Sequence, residues 1–378
     1  CLSCKGCSAD CPAGVDMSKY KSEALYQRYR RRLRPPAHYS LGWLPRWARL
    51  VARAPRLANA ALRLPGVAPV VKRLGGIDSR RPLPSFATRT FRRWFAERSS
   101  AREAAGGGCA GGPSDAAASG RDAGPGAGPG ARGTVLLWVV NITEHFSPRV
   151  GEAAVAVLEA AGYTVTIVDQ PVCCGLTWIS TGQLDGARKQ LRRSLDALGP
   201  ALEAGVPIVG LEPSCTAVLR AEAAELLPGD PRAAQVGAAT KTLAELLAAT
   251  PGWVPPDLGD VRAVAQPHCH QHAVLGWQED AKLLRQAGAQ VDAVGGCCGL
   301  AGNFGAERGH YEVSVAVAES ALLPAVRAAG PDATLLADGF SCRTQLDQLA
   351  GRGGVHLAQL LAEHMCAEQM CDTKEVRP

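Results

Sequence analysis

The chain has 378 residues, 47% of them hydrophobic and 20% charged, with a formal net charge of +6; that length holds two or three domains, and the hydrophobic share excludes wholesale disorder. No uninterrupted apolar run of about 18 residues occurs, which argues against a helical membrane span. The net charge conceals an asymmetry, because residues 1–100 carry 21 Lys and Arg against 5 Asp and Glu, and the remainder 20 against 30. A basic first part suits an acidic partner, an anionic membrane surface or packing on the acidic remainder. No aromatic–basic nucleic-acid module accompanies it, so nucleic acid is not an expected partner.

The first element is a run of thiols, Cys1-x2-Cys4-x2-Cys7-x3-Cys11-Pro12. This is the spacing of bacterial ferredoxins, in which closely set thiolates wrap a [4Fe–4S] cluster and the last cysteine of the run serves the second cluster of a pair. Cys1, Cys4 and Cys7 would then share one cluster with a fourth ligand from a matching motif. No second copy of the motif is present, and residue 1 is Cys rather than Met, so the expectation is a chain continuing upstream. Zinc ligation, or plain burial of four thiols, is the alternative.

Residues 21–98 form a basic, helical segment cut short by Pro35, Pro36, Pro45, Pro55, Pro65 and Pro69. Residues 99–133 are Gly, Ala, Pro and Ser with little to bury and read as a flexible linker containing an incidental thiol, Cys109. From residue 134 apolar strands alternate with amphipathic helices, and the pattern repeats. The first unit, 134–250, places strands at 135–140, 164–168 and 207–211, with helices at 148–161, 183–204 and 233–249. The second, 251–366, places strands at 261–266, 290–294 and 334–337, with helices near 278–287, 311–329 and 356–365. Residues 367–378 are left as a tail. Such alternation implies α/β architecture with parallel βαβ units, here two related by a pseudo-twofold behind a ferredoxin-type helical segment.

Each unit carries Cys-Cys-Gly after a strand. Cys173, Cys174 and Cys215 fall in the first unit; Cys269, Cys297, Cys298 and Cys342 fall in the second. The expected position is the carboxyl end of the sheet, where open α/β folds hold ligands. Cys215 and Cys342 fall at the starts of expected helices, where the dipole favours thiolate, and each Cys-Cys-Gly glycine would let the backbone approach a cofactor. Cys269 sits in His268-Cys269-His270-Gln271-His272, which makes the second unit the richer in ligands. Clustered thiols in a large α/β chain fit a reducing compartment, hence cytoplasm, with peripheral contact at the inner face of the membrane left open by the basic segment.

The stretches CLSCKGCSADCP, VDMSKYKSEAL, RRPLPSFATRTFRRWF, CCGLTWISTGQL and CCGLAGNFG resemble the C-terminal half of bacterial FAD-linked 2-hydroxyacid dehydrogenases, of the large fused D-2-hydroxyglutarate dehydrogenase type. The Cys-Cys-Gly region is similar to the Cys-Cys-Gly-bearing subunit of heterodisulfide reductase, to glycolate oxidase iron–sulfur subunits and to the corresponding subunit of anaerobic glycerol-3-phosphate dehydrogenase. The resemblance implies an oxidoreductase's electron-transfer portion, passing electrons from FAD in an upstream flavin domain or subunit to a quinone or carrier protein. The substrate, a 2-hydroxyacid such as D-2-hydroxyglutarate, D-lactate or glycolate, would bind outside this chain, so no catalytic base is assigned. Against the full five-cysteine pattern the first unit lacks its leading cysteine, and the second continues Cys342-Arg343-Thr344-Gln345 with no final cysteine. A thiol–disulfide redox subunit and a zinc-structured docking protein are the competing readings.

Overall fold

The computed structural model describes residues 1–104 and 130–365; Cys109, most of the expected linker and the tail lie outside the described residues. Two parallel sheets organise the chain. The first contains β1 (Thr134–Trp138), β2 (Thr164–Thr166), β3 (Ile208–Gly210) and β4 (Thr240–Thr242), in the order β2-β1-β3-β4. The second contains β5 (Arg262–Ala265), β6 (Gln290–Ala293) and β7 (Thr334–Leu336), in the order β6-β5-β7, with Val355 bridged in parallel beside Leu336. Every ladder is parallel, so each link between neighbours crosses back through helices such as Pro148–Ala160, Leu184–Glu203 and Gln278–Gln286.

Alternation along the strands decides how the sheets meet. Val135, Leu137 and Val209 of the first sheet share one core with Ala263, Ala265 and Leu336 of the second. The intervening residues Leu136, Trp138 and Ile208 face a separate core under Leu184–Glu203, and Val264 and Leu335 a third. Side chains two apart in a strand share a face, so one face of each sheet forms the common interior and the other packs beneath its own helices.

Three boundaries differ from the sequence reading. The helix expected over 233–249 is divided into Pro231–Ala239 and Leu243–Ala248 by β4. Thr242 begins the second piece with a reciprocal cap, its hydroxyl accepting from Glu245 N and the Glu245 carboxylate accepting from Thr242 N. The helix expected over 311–329 breaks at Ala321, because Pro324 cannot donate to the carbonyl of Ser320 and its ring collides there. The helix Phe91–Ala104 continues through six residues assigned to the linker.

The basic segment wraps the acidic remainder. Its prolines open helices as well as ending them: Pro36, Pro45 and Pro55 occupy the first turns of Pro36–Ser40, Leu44–Val51 and Pro55–Arg63. Arg34 donates to the carbonyls of Thr181 and Gly182 at 2.8 and 2.9 Å. Arg81, only 2% exposed, donates to the Gly305 carbonyl and to the side chains of Gln345, Gln348 and Ser314. Gln345, which stands where the sequence pattern lacked a cysteine, is therefore the buried acceptor of a structural arginine.

Candidate metal centre

The opening loop is held by a buried ion cluster. Lys5, 4% exposed, adopts the left-handed conformation (φ 63°) as the residue before the short helix Gly6–Asp10. Its ammonium lies 2.8 Å from Asp16 Oδ2 and 2.6 Å from Glu222 Oε1, the latter on the π-helical turn Val218–Glu222 of the first unit. Burial works against charge at both Lys5 and Asp16. Opposite charge prevails: Glu222 and then Asp16 raise Lys5, and Asp16, held by Lys5 and Ser18, falls to about 2. Asp16 also caps Met17–Tyr29 by accepting from Ser18 N and Lys19 N.

The four opening thiols sit around this anchor. Cys7 Sγ accepts from Met17 N at 3.4 Å, and Cys1 Sγ lies 3.7 Å from the Met17 carbonyl. Hydrogen bonds from the backbone of Val15, Ala13 and Gly14 lower the Cys11 thiol. Amides directed at sulfur favour thiolate, which is the form that ligates metal. The loop thus fits a cluster-binding role.

Cys4 is half-buried, and the influence of the neighbouring Cys297 thiol outweighs burial and brings it down to about 6. This joins the opening loop to the second unit. Cys269 follows β5, Cys297 and Cys298 follow β6, and Cys342 lies in the first turn of Phe340–Ala350 after β7, all at strand carboxyl ends. Cys297 meets Cys4, Cys269 and Cys298, and Cys298 meets Cys342. These neighbouring thiols shift one another in opposite directions. Cys269 and Cys298 are lowered, chiefly by the hydrogen bond from Cys297, while Cys297 and Cys342 are raised as the donors.

Imidazoles complete the site. Nδ1 of His268 and of His270 each lies 3.9 Å from Cys269 Sγ, and the rings stack with centroids 5.2 Å apart. Burial opposes charge on His268, but the neighbouring Cys269 thiolate lifts it to about 9. His268, Cys269 and His270 offer ligand atoms mutually within 4.8 Å, the one group of that kind among the described residues. His270 Nε2 is buried with no hydrogen-bond partner among those residues. His272 instead faces the loop, its Nε2 3.0 Å from Asp10 Oδ1. Soft thiolates converging with imidazole suit an iron–sulfur centre or zinc.

The first unit differs. Cys173, Cys174 and Cys215 are buried, with Cys174 Sγ 3.0 Å from Cys215 Sγ, inside the core that also holds Trp138, Trp178 and Leu191. Cys173 is raised by the adjacent Cys174 thiol and by burial. Cys174 and Cys215 are also raised: a neighbouring thiol lowers each, but burial and other contacts outweigh it. At the helix starts of Cys215 and Cys342 burial and neighbouring groups raise the thiols in the metal-free chain, against the pull of one N-terminal turn. The Cys-Cys-Gly glycines also serve helix packing. Both have positive φ, 83° at Gly175 and 87° at Gly299, and a Cβ on Gly299 would fall 2.1 Å from the Ser314 carbonyl oxygen. They let a helix backbone come close behind the cysteines.

Several residues that position the site carried no sequence signal. Glu212 stands between the units, Oε2 accepting from Phe340 N and Oε1 from the Ser214 hydroxyl, both at 3.0 Å. Its charge bears on Cys215 and Cys342 alike. Arg343 is partly buried and donates to the carbonyls of Ala337 and Asp338. Lys5 and Arg81 resembled surface cations in the sequence because the partners that tie them to the two units, Glu222 and Gly305, lie more than 200 residues away.

Comparison with known proteins agrees with this geometry. A family model described as CCG, cysteine-rich domain, matches residues 141–220, the part that holds Cys173, Cys174 and Cys215. Lactate utilization protein A of Bacillus velezensis is 31% identical over 182 residues, covering 45% of this chain and 74% of that protein. The chain belongs to the CCG cysteine-rich family. D-2-hydroxyglutarate dehydrogenase of Escherichia coli is 27% identical over 378 residues, covering 96% of this chain, which spans only 34% of that protein's length. One subunit of the anaerobic glycerol-3-phosphate dehydrogenase of Escherichia coli is 26% identical over 321 residues, covering 81% of this chain and 72% of the relative. Two of these relatives are thus a dehydrogenase and part of one, and this chain is related to oxidoreductases.

Proposed function

We propose that this chain is the iron–sulfur electron-transfer part of a FAD-linked 2-hydroxyacid dehydrogenase. The whole protein would act on a substrate of the D-2-hydroxyglutarate, D-lactate or glycolate type. The observation that carries the reading is the packing of the ferredoxin-type loop on the second unit, where the helix Gly6–Asp10 lies against the turn Gln271–Leu275 and His272 Nε2 is 3.0 Å from Asp10 Oδ1. Bound there, a [4Fe–4S] group supplies one-electron carriage, the complement of a flavin that takes electrons in pairs.

Cys1, Cys4 and Cys7 would hold one such group, with Cys11 serving its companion in an upstream motif. Cys269, Cys297, Cys298 and Cys342 are the ligand candidates of the second unit; Cys173, Cys174 and Cys215 are the weaker set, being protonated and enclosed. The Lys5 cluster fixes the loop, Glu212 and Arg343 set the charge behind the second unit, and the surrounding core excludes water. FAD would lie in an upstream flavin domain or subunit, with a quinone or carrier protein as acceptor. The shared strand order of the two sheets supports a duplicated unit with pseudo-twofold symmetry.

Anaerobic purification followed by iron and acid-labile sulfide analysis and EPR tests the reading. A brown protein is expected, with iron content and spectrum altered in Cys4→Ser and in Cys297→Ser but retained in Cys174→Ser. Unchanged iron and spectrum in Cys4→Ser would refute the assignment. A mononuclear zinc site is the second reading, favoured by the close grouping of His268, Cys269 and His270; a colourless, sulfide-free protein containing zinc would establish it.

A further inference from the structure

We propose that the outward face of helices Leu44–Val51, Pro55–Arg63 and Val67–Gly75 seats this protein on an anionic lipid bilayer. The proposal goes beyond the redox reading and does not depend on it. In Leu44–Val51 the buried residues are Pro45 and Ala48, while Trp47 and Leu50, also three apart, are exposed on the other side. Pro55–Arg63 and the residue after it expose Leu57 and Leu64, and Val67–Gly75 exposes Val70 and Leu74; Leu57 and Leu74 are each 72% exposed. Among the described residues after position 74, Val254 and Val313 are the large hydrophobic side chains left exposed. Seven of the thirteen exposed large hydrophobic side chains among the described residues thus fall within residues 44–74, the others being Val15, Met17, Tyr20, Leu33, Val254 and Val313.

Charge identifies the occupant. Residues 24–77 contain twelve Lys and Arg and no Asp or Glu. None of the twelve makes an ion pair among the described residues, whereas Lys5, Lys19, Arg80, Arg92 and Arg98 outside that stretch each meet a carboxylate. Arg34, Arg49 and Lys72 hydrogen-bond backbone carbonyls, but no carboxylate among the described residues balances the charge of this segment. An acidic protein surface would answer the arginines but not the leucines, valines and tryptophan interleaved with them. A bilayer with anionic headgroups answers both, with arginine on phosphate and apolar side chains at the acyl boundary. Short proline-opened helices suit lying in that plane, and no helix of the described residues is long and apolar enough to cross it.

Cosedimentation of the full chain with phosphatidylcholine vesicles, with and without phosphatidylglycerol, tests the surface. Partition onto the anionic vesicles should be at least about tenfold stronger, since each cation near such a surface contributes about fivefold. Leu57→Asp with Leu74→Asp, and separately Arg53→Glu with Arg56→Glu, should each reduce that partition about tenfold or more. Iron content and visible spectrum, read on the same samples, report folding and the redox assignment independently. Absence of binding to the anionic vesicles, equal binding to both compositions, or binding that both double variants retain would overturn the proposal.

Discussion

Replacing Lys5 with Met should undock the opening loop. Its ammonium is 4% exposed and sits between Asp16 and Glu222, themselves 8% and 6% exposed, at 2.8 and 2.6 Å. A surface pair of this kind would contribute at most about 1 kcal/mol. Here the methionine would leave two carboxylates buried without their cation, one of which, Glu222, already has Oε2 without a hydrogen-bond partner among the described residues. Removing one partner of a buried pair costs about 3–5 kcal/mol. Because the loop can detach without unfolding the sheets, the loss is read locally, as hydrogen exchange of the amides over residues 5–16. Protection should fall by about a hundredfold to a few thousandfold, at about 1.4 kcal/mol per decade, while the amides of β1 and β3 stay protected. Lys5→Met with Asp16→Asn and Glu222→Gln should regain most of the protection. A fall below about fivefold in the single variant would show that the cluster is solvated and that the loop is held by something else.

Two further predictions concern stability. Gly299→Ala should cost about 3 kcal/mol or more in urea unfolding, since it adds a left-handed penalty to the collision with the Ser314 carbonyl. Gly175→Ala, whose nearest neighbour would be the Ala187 carbonyl oxygen at 3.3 Å, should cost about 1–2 kcal/mol; equal losses would contradict the difference in backbone spacing. His38 and His145 are each lowered to about 4, by burial first and then by the nearby cations Arg34 and Lys21 for His38, and Arg49 and Arg92 for His145. The unfolded chain takes up these protons near pH 6.5 and the folded one does not, so stability present above pH 6.5 is lost as pH falls to 4. Allowing for partial solvent screening, the loss is about 1–2 kcal/mol for each histidine. The double variant His38→Gln, His145→Gln should show a shallower decline between those pH values; an identical decline would assign the effect to carboxylates.

The α/β class, the alternation of strands and helices along the chain and the placing of cysteines after strands were legible in sequence, because alternation and turn chemistry are local properties. The break at Ala321 was legible in principle too, from Pro324, but an amphipathic pattern running through it conceals a proline that disrupts only the turn before it. β4 was not: three residues between two helical patterns are too short to register, and only the neighbouring strand β3 makes Thr240–Thr242 a strand. The same limit applies to charge. Arg81 and Arg53 look alike in sequence, yet one is buried against Gln345 and the other exposed.

By itself, the sequence determined that this is a cysteine-rich α/β chain whose opening motif and Cys-Cys-Gly pairs have the residues for soft-metal ligation. Tertiary structure alone decided which thiols meet. It set the opening loop against the second unit, enclosed Cys174 and Cys215 where burial raises their thiols, and placed Glu212 between the two. The physical reason is that a thiol's protonation and partners depend on burial and on neighbours brought from distant parts of the chain, which spacing along the chain does not encode.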